Sequence, residues 1–527
     1  MFSNSGSTGV LFTTNQQFEY LIHSNICPTE DEAAEIRKGL AIAADRVRAR
    51  RQSPRLKNDT RQGEIDIFRT MQSYQKALSA VRRVPTEIWE EILTYCGEQY
   101  DGTPRPVDPC HIQLEEYPWV LARVCSQWRE IIVDTPMFWT NIHMDLSRHP
   151  YDSRRLETVD TVIRRSKRVP INLRIESEPD VTPATLTRVA RLLFGRQDKI
   201  KSLHFRMPFD HFQLMQEGIK PPTVTMLKRV CIDLVPLINL YRSHFQTEVN
   251  AFAAALQLKE FKIACSAGSL QKINLPWSQL ESVDLTLTSA GDEVLQCVRH
   301  CPNMQTLTVR GFYKLPTDPT IVLRHEVLRQ VTIDEVSMLN HLDLPSLVQL
   351  SVACRFGFDH YPSTLLRFLQ RFGSNLEILE IRSFPLAYKV LVQILEQTPR
   401  LKEFKIIPAY HTSCEDASIV RRLFSSLLIQ EGQDVPVLLP FLEVLHICLY
   451  NESKMPAVID DQLIKMLDSR VGHVTPLRAF RLHVQFYDAQ MLSLHSNISH
   501  HCIDSLRSLR ERGLELDIGS PSKWVVL

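Results

Sequence analysis

One short phrase, apolar-x-x-apolar-x-apolar, returns eleven times between Ile200 and Leu482, and few folds are open to such a chain. It reads Ile200/Leu203/Phe205, Leu227/Val230/Ile232, Leu258/Phe261/Ile263, Leu280/Val283/Leu285 and Met304/Leu307/Val309. It goes on as Leu328/Val331/Ile333, Leu347/Leu350/Val352, Leu376/Leu379/Ile381, Leu401/Phe404/Ile406, Leu442/Leu445/Ile447 and Leu477/Phe480/Leu482. The last two apolar positions of each phrase are two apart, the period of a strand with one face buried. Helical stretches such as "DEVLQCVRHCPN", "TLLRFLQRFGSN" and "YKVLVQILEQTPR" lie between phrases. Many of the intervals fall in or near the 20–29-residue range of leucine-rich repeats. One strand–helix–turn unit cannot bury its apolar face alone, whereas stacked units share a core. The expected fold is therefore α/β, an irregular leucine-rich-repeat solenoid (a horseshoe) over 143–527. The competing reading, an ordinary parallel sheet with helices on both faces, does not account for so many copies of one phrase. The array departs from the common repeat pattern in one respect: the Asn or Cys usual after the third leucine is mostly absent.

Residues 1–83 differ in texture. Ile36, Leu40, Ala43 and Val47 recur at helical spacing, as do Ile67, Met71, Tyr74, Leu78 and Val81, with Pro54 and Gly63 between the runs. That predicts a helical hairpin or short coiled-coil arm after a disordered start. From Arg37 to Arg83 there are 13 Lys/Arg against 4 acidic residues, densest in "RVRARRQSPRLK". A nucleic-acid or anionic-lipid arm is one reading of that excess. A solvated helical face is the better one, since no aromatics are interleaved and no groove-reading motif is present.

In "VPTEIWEEILTY" Pro85 suits a first helical turn, and Ile88, Ile92 and Tyr95 form one stripe with Leu93 beside it. A loop rich in glycine and proline follows. Next, Leu121, Val124, Cys125, Trp128, Ile131 and Ile132 fit one apolar helical face, with Cys125 in its middle as a small inert hydrophobe. "DTPMFW" ends that helix.

Composition excludes more than it assigns. A net charge of +1 favours no class of partner. The chain has no apolar run long enough to span a membrane and no secretory leader, so no membrane association is expected. Its 12 cysteines follow no disulfide framework, which points to reduced thiols and an intracellular place, cytoplasm or nucleus. There is no nucleophile elbow, no His-Glu-x-x-His, no phosphate-cradling loop and no paired Cys-x-x-Cys. "CVRHC" and "HSNISHHC" lack the remaining ligands of a zinc site, so Cys297 and Cys301 are read as buried structural thiols. Neither an enzyme activity, a metal nor a cofactor is expected.

The stretch "VRRVPTEIWEEILTYC … PWVLARVCSQWREIIVDTPMFWTNI" resembles the F-box motif, in the version common in mushroom-forming fungi, where a helical arm precedes the box and leucine-rich repeats follow. The resemblance covers 82–142 closely and implies a small all-α F-box over 84–142. It implies a substrate receptor of an SCF-type ubiquitin ligase, docked on a Skp-type adaptor and through it on a cullin–RING scaffold. The adaptor contacts would fall on Val84, Pro85, Ile88, Ile92, Leu93, Leu121, Val124, Trp128 and Ile131. Contacts to an unknown protein substrate would fall on polar strand positions of the concave side: Asp284, Thr286, Thr308, Arg310, Thr332, Asp334, Glu380, Arg382 and Lys405. Two other readings stand beside it: a leucine-rich scaffold whose box-like helices only cap the array, and a nucleic-acid-associated protein using the basic arm.

Overall fold

The computed structural model describes residues 19–24, 26–52, 61–97, 117–147, 153–195, 197–219, 224–234, 248–265, 270–287, 291–311, 322–353, 361–384, 387–408, 415–429, 438–449, 458–472, 476–484, 498–520 and 523–524. The expected disordered start, the end of the basic cluster with Arg55 and Lys57, and most of the loop after Cys96 lie outside them. The chain divides into two compact units, Met1–Leu192 with Lys199–Lys201, and Leu193–Asp198 with Ser202–Leu527.

In the first unit, α1 (Glu19–His23), α2 (Glu30–Gln52) and α3 (Arg61–Ala77) pack around Leu21, Ile36, Tyr74 and Ala77, with Leu40 and Leu78 at the margin. Thr29 starts α2 with a capping box: its hydroxyl accepts from Glu32 N, and the Glu32 carboxylate accepts from Thr29 N. Tyr74 sits against Gly39, where a β-carbon would come within 2.8 Å of the ring. Then come α4 (Thr86–Gly97), α5 (Ser126–Asp134), β1 (Asn141–Asp145), α6 (Ser153–Arg165), β2 (Ile171–Glu176) and α7 (Pro183–Phe194). Strands β1 and β2 are parallel and align Ile142 with Leu173 and Met144 with Ile175, all four buried.

The second unit is the phrase array made physical. Its strands are β3 (Ile200–Met207, from Ser202 onward), β4 (Arg229–Leu234), β5 (Glu260–Cys265), β6 (Ser282–Leu287), β7 (Thr306–Gly311), β8 (Leu323–Arg324) and β9 (Gln330–Ile333). They continue with β10 (Leu342–Asp343), β11 (Gln349–Ala353), β12 (Ile378–Phe384), β13 (Glu403–Pro408), β14 (Val444–Leu449), β15 (Ala479–Val484), β16 (Glu515–Ser520) and β17 (Lys523–Trp524). Leaving aside the short β8–β10 pair, β3 to β16 lie side by side in chain order and all parallel; β17 closes the row antiparallel to β16. The fold is thus α/β with a leucine-rich-repeat-like progression.

Register explains the phrase. Leu203, Val230, Phe261, Val283, Leu307, Val331, Leu350, Leu379, Phe404, Leu445 and Phe480 are successive ladder partners. Every apolar residue of the eleven phrases is buried, Ile406 being the most exposed at 7%. A twelfth strand, β16, escapes the phrase because Gly513, at φ +98°, takes the place of its first apolar residue. The units are irregular because their lengths differ. The short interval from Leu328 to Leu347 holds only a 3₁₀ turn, Val336–His341, whereas longer ones hold α8 (Phe209–Glu217), α9 (Gly291–His300), α10 (Tyr361–Phe372), α11 (Tyr388–Glu396), α12 (Glu415–Leu427), α13 (Asp461–Val471) and α14 (His500–Glu511).

Amides absent after the third apolar residue stand just before the phrase. Gln279 donates to the Ala255 and Leu258 carbonyls, Asn303 to Ser278 O and Asn375 to Pro345 O. Each stitches a unit to the backbone of the one before, where a carbonyl would otherwise lose its partner. His325 does the same for Cys301 O at 2.9 Å. Buried Arg470 on α13 does most: Nε and both Nη groups donate to the Leu427, Leu439 and Leu438 carbonyls at 2.6–2.8 Å. Burial pushes its guanidinium down to about 10. Arg470→Met keeps the length and removes the donors, so the unfolding midpoint in denaturant should fall by an amount worth about 3 kcal/mol. Lysine should not restore it, since one ammonium cannot span three carbonyls; an unchanged midpoint for either variant would refute this role.

Candidate functional site

Two surfaces could bind partners, one in each unit. In the first, α4 buries Trp89 and Leu93, one helical turn apart, and turns Ile88, Ile92 and Tyr95 outward, the last 78% exposed. The apolar stripe read from the sequence therefore lies on the solvent side of the helix. Trp89 meets Trp128 with ring centroids 4.9 Å apart, and Thr135 donates its hydroxyl to Glu90. Trp139 is buried with its indole N–H on Ile132 O, and the Arg165 guanidinium lies 4.5 Å from its ring and 5.5 Å from that of Trp119. These contacts complete the interior of the helical pair without the outward stripe.

Of the residues expected to meet an adaptor, Pro85, Ile88, Ile92 and Val124 are exposed, and Val84, Leu121 and Trp128 are half-buried. Leu93 and Ile131 are interior, so they support this face from beneath instead of presenting it. The expected continuous helix from Leu121 to Ile132 is also corrected. A 3₁₀ turn, Leu121–Arg123, stops, and α5 starts afresh after Cys125 in an extended conformation. Cys125 is not mid-helix core: half-buried, it is the N-cap, its sulfur accepting from Trp128 N at 3.5 Å. Serine caps better than a thiol. Cys125→Ser should leave the thermal midpoint unchanged or raised, and Cys125→Ala should cost about 1 kcal/mol; the opposite order would restore the core reading.

In the second unit the polar strand positions share the face opposite the phrases. Most of the expected substrate residues there are tied to neighbouring strands. Asp284 lies 3.1 Å from Lys262 and 3.2 Å from Arg310. Glu380 takes Lys405 at 2.9 Å and the Ser351 hydroxyl at 2.8 Å. Burial pushes the Glu380 carboxyl up, but those two donors outweigh it and hold it below the ordinary carboxylate range. Asp334 is a correction: it is buried, accepts from Gly311 N at 3.2 Å and faces Arg382 at 3.5 Å, so it fixes the turn after β9 and offers little to a partner. Thr286, Thr308 and Thr332 are half-buried between these clusters.

The sequence reading missed Lys262, Ser351 and a group at β14–β16. There His446 Nε2 lies 3.0 Å from His483 Nδ1 and 3.4 Å from Cys448 Sγ, and His483 Nε2 lies 2.9 Å from Asp517 Oδ2. Burial first, and then His483, Lys405 and Arg481, push His446 down to about 4, while burial pushes the Cys448 thiol up to about 11. Both groups stay neutral near pH 7, so this is no thiolate–imidazolium nucleophile pair. Cys297 and Cys301 are buried with sulfurs 4.0 Å apart, as expected of structural thiols. In "HSNISHHC", His500 and His501 are exposed, Cys502 is buried, and His495 lies outside the described residues. No helix among the described residues is long and apolar enough to cross a membrane.

No family model matches the chain, and comparison with curated proteins finds no relative. Among solved structures, the crystal structure of the Rad7 and Elc1 complex in yeast is similar at 12% identity and a TM-score of 0.32, over 75% of this chain and 94% of the matched one. A likeness that loose carries no argument about this protein.

Removing the buried Asp334 carboxylate orphans the Gly311 N–H and takes away one of the counter-charges of Arg382. Asp334→Ala should therefore cost about 1–3 kcal/mol in unfolding experiments, and Thr308→Ala well under 1 kcal/mol. Equal costs would mean that Asp334 is not structural.

Proposed function

We propose that the chain is a substrate receptor of an SCF-type ubiquitin ligase, its 84–142 region docking on a Skp-type adaptor and its repeat array holding a protein substrate. One observation carries this reading. Ile88, Ile92, Tyr95 and Val124 are exposed although Trp89, Leu93, Ile131, Ile132 and Trp139 already fill the interior of the helical region. A helix that seals its own core has no use for a second apolar stripe in water, so the stripe suits a partner's apolar groove. The resemblance of this stretch to an F-box names the partner class.

The role requires no catalytic residue in this chain. An adaptor contact and a substrate contact on one polypeptide raise the local concentration of substrate lysines at the transferring enzyme. Substrate binding would draw on the polar strand face, where a ligand able to replace a lateral ion pair, for example at Asp284 or Glu380, would keep both partners satisfied.

Ile88→Asp with Ile92→Asp tests the reading with little risk to the fold, because both side chains are at the surface. The double variant should keep the circular dichroism of the parent and lose Skp-type adaptor binding by at least about 100-fold in a co-purification or titration. Absence of adaptor binding by the unaltered chain, or undiminished binding by the variant, would sink the proposal and favour a scaffold role.

A further inference from the structure

The structure assigns a second binding site, unrelated to adaptor docking, on the helix side of the array: a cavity between 270–279 and α9 that takes a guanidinium on an apolar stem, held by the Glu293 carboxylate. The cavity measures about 330 Å³, within the range of roughly 300–1,000 Å³ usual for ligand pockets. Its origin is a mismatch between neighbouring units. The described residues between β5 and β6 form only the 3₁₀ turns Leu270–Lys272 and Trp277–Gln279, whereas the next unit carries the helix α9. That helix buries Val294, Cys297 and Val298 in the core. The row beside them, Glu293, Gln296 and His300, shares a face by helical spacing and borders the shorter unit, which brings no described helix to cover it. The other junction of this kind is closed: the turn Val336–His341 packs on α10 with Val336, Met338 and Leu339 buried. A short unit beside a helix therefore need not leave a cavity, nor a polar one.

The lining residues select the ligand. Glu293, only 5% exposed, lies at the floor with buried Leu270, Ile273 and Cys297. Gln271, Asn274, Gln296 and His300 are exposed and form the rim. Half-buried Trp277, edge-to-face with Phe261 at 6.0 Å, makes one wall. No Lys or Arg is among the described residues that line the cavity, so a cation arrives with the ligand. A carboxylate offers about four acceptor positions, so Glu293 can hold a ligand alongside its contacts within the chain. The rim amides add acceptors. Asn274 spends its nitrogen on Asn250 and Glu248, and Gln271 donates to Gln296 at 3.4 Å, which leaves the Asn274 and Gln271 oxygens for N–H groups of a ligand. A guanidinium has only donors, spread in a rigid plane that also stacks on an indole, and it sheds water more readily than an ammonium. Its source is either an arginine side chain of a protein partner or a small free guanidinium compound.

Calorimetric titration of the full chain tests the site with three probes: N-acetyl-arginine amide, the neutral N-acetyl-citrulline amide of nearly the same shape, and agmatine. The arginine compound should bind at one equivalent, and the citrulline compound at least about 10-fold more weakly, the worth of a charged hydrogen bond. Glu293→Gln should erase that preference with circular dichroism unchanged. Gln296→Trp, at the exposed rim, should close the mouth and abolish binding with the carboxylate in place, so the test still decides if Glu293→Gln does not fold. N-acetyl-arginine amide binding more tightly than agmatine assigns the guanidinium to a protein side chain; the reverse order assigns it to a small free cation. A parent chain that binds no guanidinium compound, equal affinity for the arginine and citrulline compounds, or undiminished binding by either folded variant overturns the assignment. Adaptor binding is read separately and does not depend on any of these outcomes.

Discussion

Each apolar triplet of the second unit needs the next one to cover it. A strand of this length, backed by at most a few helical turns, leaves its first and last rungs in water unless a neighbour stacks on it. The parallel ladder from β3 to β16 meets that need by repetition: the second apolar residue of one phrase sits beside the second of the next, from Leu203 to Phe480. Helices, turns and loops behind the ladder vary in length and type because the ladder constrains only where each strand begins. That is why one interval manages with a 3₁₀ turn and another takes a full helix without any break in register.

Alternation has a second consequence. A strand that turns its phrase inward must turn the residues between to the other face, so every unit contributes polar side chains in fixed rows. Neighbouring rows are separated by about 4.8 Å, within reach of long charged side chains on adjacent strands. Lys262–Asp284–Arg310, Ser351–Glu380–Lys405 and the His446–His483–Asp517 chain all result from this spacing. Exposed pairs of this kind contribute little to stability. They do set the terms on which a ligand binds, because it must offer each charged group at least what its strand neighbour already gives.

The ladder was legible because its signal is redundant. Eleven copies fix strand positions even where a single copy would be ambiguous. Strand β16 was not, since a glycine at positive φ removed its first apolar residue, and the inter-unit amides were not, since they precede the phrase instead of following it. In the helical region the period groups the residues but leaves open which group faces inward. Ile88 and Ile92 share a face, as the spacing predicts; that face is the outer one, and Trp89 with Leu93 holds the inner. Period identifies which residues are together; only packing decides which of two apolar stripes is inside. Cys125 failed for a related reason. Its offset fits a helix face equally well whether the helix runs through it or starts there, and the cap was decided by backbone geometry.

The histidine–cysteine group shows why site chemistry is hard to see in a repeat protein. A scan for local spacing passes over His446, Cys448, His483 and Asp517, which are spread across three units. The ladder itself supplies the proximity. A residue at a given slot of one strand meets the residue at the same or the adjacent slot of the next, whatever the length of chain between them. Here two intervals of quite different content, α13 in one and α14 in the other, bring β14, β15 and β16 into contact at the same depth. Candidate chemistry in such a chain is therefore better sought by aligning strand slots than by reading along the sequence. Aligned that way, a histidine two residues before a cysteine stands next to a histidine held by an aspartate.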